Sequence, residues 1–84
     1  MTRDTVIWEE DANSDLAELW LTLPDRNATT AASHAIDREL AEDASTKGDA
    51  LKEGLRVLVV PPLKAIFAVF KDDRIVKVYR VLQI

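Results

Sequence analysis

The stretch LRVLVVPPLKAIFAVFKDDRIVKVYRVL, residues 55–82, decides the fold. It holds three runs rich in β-branched and aromatic residues, Leu55–Val60, Leu63–Phe70 and Ile75–Leu82, divided by Pro61-Pro62 and by Lys71-Asp72-Asp73-Arg74. Such runs bounded by turn residues predict strands. Two- and four-residue connections are too short for a crossover helix, so the three strands are expected to form an antiparallel meander.

The 54 residues upstream carry a different period. Ala12, Leu16, Leu19, Trp20 and Leu23 fall on one face of a 3.6-residue repeat, predicting a helix that begins near Asp11 and stops at Pro24. Asp25 is placed to cap a second helix, expected from about Arg26 to Ala44, whose stripe Ala28, Ala32, Ile36 and Leu40 is narrow enough for close packing. Ser45-Thr46-Lys47-Gly48-Asp49 closes it. Ahead of both, Thr5-Val6-Ile7-Trp8 predicts a short strand, and Glu9-Glu10-Asp11 suits the positive end of the helix that follows. The predicted class is therefore α+β in the order β-α-α-β-β-β, an antiparallel sheet with a helical hairpin on one face, as one domain over residues 1–84.

Composition narrows what such a domain can do. With 48% hydrophobic and 31% charged residues, two glycines and three prolines, the chain is that of a folded protein rather than a disordered one. Zero cysteines leave no disulfide, thiolate zinc site or catalytic thiol, and fit a reducing cytoplasm. No run of 18 apolar residues is present, so neither export nor a membrane span is expected. A chain this short buries roughly 60% of its unfolded surface, which favours a partner or a second copy. The net charge of −4 divides unevenly: residues 1–50 hold four Lys or Arg against twelve Asp or Glu, and residues 51–84 hold seven against three. The basic half is the candidate for contact with phosphates or an acidic partner.

Two glycines cannot build a phosphate loop or dinucleotide fingerprint, and no cofactor or metal is expected. Ser33, His34 and Asp37 hold the residue types of a hydrolytic triad, yet neighbours on a helix point about 100° apart, and His34 is expected to face solvent. Trp8 and Trp20 sit where apolar periodicity needs them and are expected in the core. If Val57, Val59, Ala65, Phe67, Val69, Val76 and Val78 face the helices, alternation leaves an uncovered outer face. That face would carry Leu58, Val60, Ile66, Ala68, Phe70, Ile75, Tyr79 and Val81, with Arg56, Lys64 and Lys77 among them. Its apolar members Leu58, Ile66, Phe70, Ile75 and Tyr79 are the candidate partner-binding face. Arg56, Lys64, Lys77, Tyr79 and Arg80 are the candidate contacts to phosphate or target, Arg80 being compatible only with the sheet rim.

The element order, with Val6-Ile7-Trp8, Asp15-Leu16-Ala17-Glu18-Leu19-Trp20, Gly54-Leu55-Arg56-Val57-Leu58-Val59, Pro62-Leu63-Lys64-Ala65-Ile66-Phe67 and the closing strand ending Val81-Leu82, resembles the RelE/ParE toxin superfamily over nearly the whole chain. The resemblance implies the toxin of a type II toxin–antitoxin pair of the plasmid-stabilisation kind, neutralised by a cognate antitoxin. It also implies one of two targets: ribosome-bound messenger RNA, which is cleaved, or DNA gyrase, which is poisoned by binding.

Cleavage needs cations for the charged transition state and an acid-base group. Arg56 and Lys64 match the family's basic positions, whereas Gln83 stands where many members carry histidine and cannot exchange a proton at neutral pH. The sequence thus favours a toxin-like chain acting by protein binding or catalytically degenerate. The alternatives are a ribosome-dependent ribonuclease using Arg56, Lys64 and Arg80, and a non-toxic module that forms homodimers through the uncovered sheet face.

Overall fold

A computed structural model describes residues 3–84. Strand β1 (Thr5–Trp8) leads into helices α1 (Glu10–Thr22) and α2 (Arg26–Leu40). Strands β2 (Asp49–Lys52), β3 (Leu55–Val60), β4 (Leu63–Phe70) and β5 (Ile75–Gln83) follow. The fold is α+β, with two helices on a five-stranded mixed sheet of order β1-β5-β4-β3-β2. The meander is antiparallel as expected.

Two strand pairings are additions to that expectation. β1 joins the sheet parallel to β5, with Thr5 opposite Ile75 and Trp8 opposite Val78. The α1–α2 hairpin and the meander together form the long connection that a parallel pair requires. β2 lies outside β3, joined to it through Glu53-Gly54, with Gly54 at φ +81°.

The helix boundaries follow their caps. The Asp25 side chain accepts from the Ala28 amide at 3.0 Å, as its position predicted. α2 ends at Leu40 rather than continuing to Ala44. Asp43 turns the chain through left-handed geometry at φ +50°, and the 3-10 turn Ala44–Thr46 returns Ala44 to the core, where it is buried.

Gly48, at φ +64°, then passes so close to β3 that its backbone lies against the Val57 carbonyl group. The core consists of Ala12 from α1, Ala32, Ile36 and Leu40 from α2, Leu63, Ala65 and Phe67 from β4, and Val76, Val78 and Val81 from β5. Leu16, Leu19, Leu23 and Trp8 pack at its margin.

The face assignment of β3 is corrected by its register. Val60 pairs with Leu63, Leu58 with Ala65 and Arg56 with Phe67 across the tight Pro61-Pro62 turn. Directly paired residues share a face, so Leu58, Val60 and Arg56 lie on the helix side with the buried β4 residues. Val57 and Val59 lie on the outer side, and Val59 is exposed. Leu58 packs against the core and is therefore not part of an outer partner-binding face.

Val81 is also buried, against expectation. Phe67 pairs with Val78 and Ile66 with Arg80, so Tyr79 is the extra residue of a β-bulge that reverses the alternation beyond it.

Candidate functional site

The cations singled out by the sequence are held at three separate places. Arg56 donates from Nε to the Lys47 carbonyl at 2.9 Å and from Nη2 to the Gly48 carbonyl at 3.0 Å. Its guanidinium thus ties β3 to the segment before β2. Lys64 and Lys77 lie on the outer face, paired across the sheet with Leu82 and Ala68. Lys77 stands 5.4 Å from the centroid of the Phe70 ring and 3.8 Å from the Glu9 carboxylate.

Arg80 takes the rim position and is clasped by α1. Its Nε and Nη2 donate to Asp15 at 2.7 and 3.0 Å, and Asp15 also accepts the Val81 amide at 3.0 Å. β1 ends opposite Val78, so this carboxylate occupies the edge of β5 that β1 leaves open. The Arg80 hydrogen bonds, aided by the Val81 amide, hold the Asp15 carboxyl below its ordinary 3.8 against the opposing effect of its partial burial.

A group with a depressed folded pKa stabilises the fold above its unfolded value and loses that contribution as pH falls through the folded one. Urea denaturation from pH 7 down into the acid range is therefore expected to show stability falling below about pH 4. Asp15→Asn is expected to flatten part of that decline and to cost about 1–3 kcal/mol at pH 7.

Tyr79, on the bulge, lines a cleft of about 400 Å³ with Arg80, Glu9, Glu10 and Asp11. The surroundings of the Tyr79–Arg80 pair are thus acidic. The outer face itself brings together Ile66, Ala68, Phe70 and Ile75, four of the residues expected there, with Val57, Val59 and Ile7 added by the true register. Phe70 and Val59 are exposed, and Lys64 and Lys77 are the basic groups between them.

The tryptophans divide. Trp8 packs on the core and donates Nε1–H to Asp37 at 3.1 Å, whereas Trp20 is 40% exposed, a correction to its expected burial. Trp20 donates to Thr30 Oγ1 at 3.0 Å and lies 4.7 Å beneath the Arg26 guanidinium. Helical spacing placed it beside Leu19 and Leu23, but its indole lies over the hairpin groove with Leu16, Ala17 and Leu21. His34 is exposed, as expected. Among the described residues, no helix is long and apolar enough to cross a membrane, and no cluster of His, Cys, Asp and Glu has metal-site geometry.

A helical hairpin over a sheet whose last strand is flanked by the first is a RelE/ParE-like fold, and solved structures share it. The chain superposes on a chain of the RelBE2 toxin–antitoxin complex of Mycobacterium tuberculosis with a TM-score of 0.82 at 17% identity, covering 100% of this chain and 94% of that one. It matches the chromosomal ParDE toxin–antitoxin system of Pseudomonas aeruginosa with a TM-score of 0.70 at 20% identity, over 96% of each chain. A third match is TrmO from Pseudomonas aeruginosa, with a TM-score of 0.63 at 20% identity, over 98% of this chain and 36% of that one. No family model and no curated protein matches the sequence. The same fold thus sits within proteins of different names, and function has to be argued from the site.

Proposed function

We propose that this chain, as one domain, is the toxin-type member of a type II toxin–antitoxin pair, held by a cognate antitoxin and acting in the cytoplasm by binding a protein target. The two toxin–antitoxin complexes among its structural neighbours support the pairing. DNA gyrase is the target that the ParE resemblance suggests.

One observation favours binding over RNA cleavage. The strongest cations are engaged apart from each other, Arg56 on backbone carbonyls and Arg80 on Asp15, and the Tyr79–Arg80 cleft is walled by Glu9, Glu10 and Asp11. A phosphodiester approaching that cleft meets carboxylates, which oppose the charge that cleavage must stabilise. The outer face offers exposed Phe70 and Val59, an apolar surface of the kind proteins use against one another.

Induced expression in a bacterial host, with and without the adjacent reading frame, tests this reading. Growth arrest relieved by the neighbouring gene, with transcripts left intact, is the expected result. Phe70→Asp is expected to abolish arrest while leaving the circular dichroism spectrum unchanged. Transcript cleavage at the ribosome that is lost in Lys64→Ala would replace protein binding with the ribonuclease reading, and harmless expression would remove the toxin assignment.

A further inference from the structure

β2 is the outermost strand of the sheet, and all four of its residues, Asp49, Ala50, Leu51 and Lys52, are exposed. Its outer edge therefore presents backbone groups that no other strand among the described residues pairs, the usual template for adding another strand. Leu51, half-exposed at 50%, gives that edge an apolar side chain without cover.

The order of residues along β2 is self-complementary. A two-fold axis through the middle of the strand sets a second copy antiparallel to the first, with Asp49 opposite Lys52 of the partner subunit and Ala50 opposite the partner subunit's Leu51. Symmetry makes each of these pairs twice.

Regular alternation would place Asp49 and Lys52 on opposite faces and spoil the charge match. The bulge in β2 prevents this. Asp49 pairs with Val57 and Lys52 with Leu55, and those partners, two residues apart on β3, share one face. Asp49 and Lys52 therefore stand on the same side of the sheet, where opposite charges across a strand pair attract. Neither residue makes an ion pair among the described residues.

We infer that two copies of this chain pair through their β2 edges, Asp49 against Lys52 twice over, to form one continuous ten-stranded sheet with a helical hairpin in each half. The occupant of this edge is a second copy because the charge sequence of the strand matches its own reverse. The outer sheet face and the helical hairpin both stay open in this dimer, so it neither requires nor excludes an antitoxin. Four residues a side make it a weak, concentration-dependent association, more readily dissociated as salt screens the two charge pairs.

Sedimentation equilibrium of the purified full chain at low and high salt, from micromolar to near-millimolar concentration, is the test. The expected result is a monomer–dimer equilibrium weakened by salt. Asp49→Lys and Lys52→Asp, each of which sets like charges opposite one another twice, are expected to raise the dissociation constant about tenfold or more. The double swap, which restores both pairs in reverse, is expected to return it to within about threefold of the unmodified chain. Circular dichroism of each variant confirms that the fold is kept, as befits exposed positions. A chain that stays monomeric throughout overturns the inference. So does a dimer indifferent to both single swaps, or single swaps that weaken it without rescue by the double.

Discussion

Replacing Phe67 by alanine is expected to cost about 3–5 kcal/mol of folding stability, the range for deleting a fully buried aromatic side chain. Phe67 is 0% exposed, the largest of the wholly buried side chains, and it sits on the central part of β4 where α1, α2, β3 and β5 converge. The buried cluster it belongs to consists mostly of small or β-branched side chains, Ala12, Ala32, Ala44, Ala65, Val76, Val78 and Val81 among them, which have little freedom to swing into the space it would leave. A chain of 84 residues has a total stability near the low end of about 5–15 kcal/mol, so this one change is expected to leave the domain largely unfolded at 37 °C. Urea titration followed by tryptophan fluorescence measures it, because Trp8 packs against the same core. A loss under about 1.5 kcal/mol would mean that the core repacks around the vacancy and that the helices are not seated as described.

Gly48→Ala is the second large effect, about 2–4 kcal/mol, and its cause lies in the backbone. The left-handed φ of +64° strains any residue with a side chain, and the close approach to β3 adds a collision. A Cβ on Gly48 would meet the Val57 carbonyl group and come within 3.2 Å of the Leu58 Cα, atoms of a paired strand that has no freedom to retreat. The same displacement would pull the Gly48 and Lys47 carbonyls away from the Arg56 guanidinium. Gly54→Ala is the control. It too has positive φ, at +81°, but open space where the Cβ would go, so about 1 kcal/mol is expected. Equal losses at the two glycines, by thermal or urea denaturation, would refute the close approach.

Several features of this arrangement are legible in the residues, and the exceptions have identifiable causes. α2 shows its stripe as Ala32, Ile36 and Leu40, so period alone identifies it, whereas β4 is apolar throughout residues 65–70 and only Lys64 marks its outer side against buried Leu63, Ala65 and Phe67. β3 is apolar at Leu55, Val57, Leu58, Val59 and Val60, so alternation carries no information about its face. The signal that settles it is the turn: a two-residue connection pairs Val60 with Leu63, and the known face of β4 then fixes Leu58 and Arg56. Val81 was hidden by the Tyr79 bulge, which no sequence period announces.

β2 is four residues long and contains Asp, Ala and Lys, types depleted in strands, so it exists through its hairpin rather than its propensity. The Asp15–Arg80 clasp joins residues far apart in sequence, and only the curl of α1 over the free part of β5 brings them together. Of the candidate partner face, Ile66, Phe70 and Ile75 occupy the expected side, and Leu58 does not.

The pairing of β1 with β5 sets the order in which the molecule can be finished. Thr5–Trp8 leaves the translation machinery early but finds its neighbour only when Ile75–Val78 has been made, and α1 waits on the same event for the amide of Val81 that Asp15 accepts. Bringing together segments so distant along the polypeptide is the slow part of assembly. A nascent chain from which Ile75–Gln83 has yet to emerge therefore lacks the strand that both β1 and Asp15 need, and its sheet is unfinished.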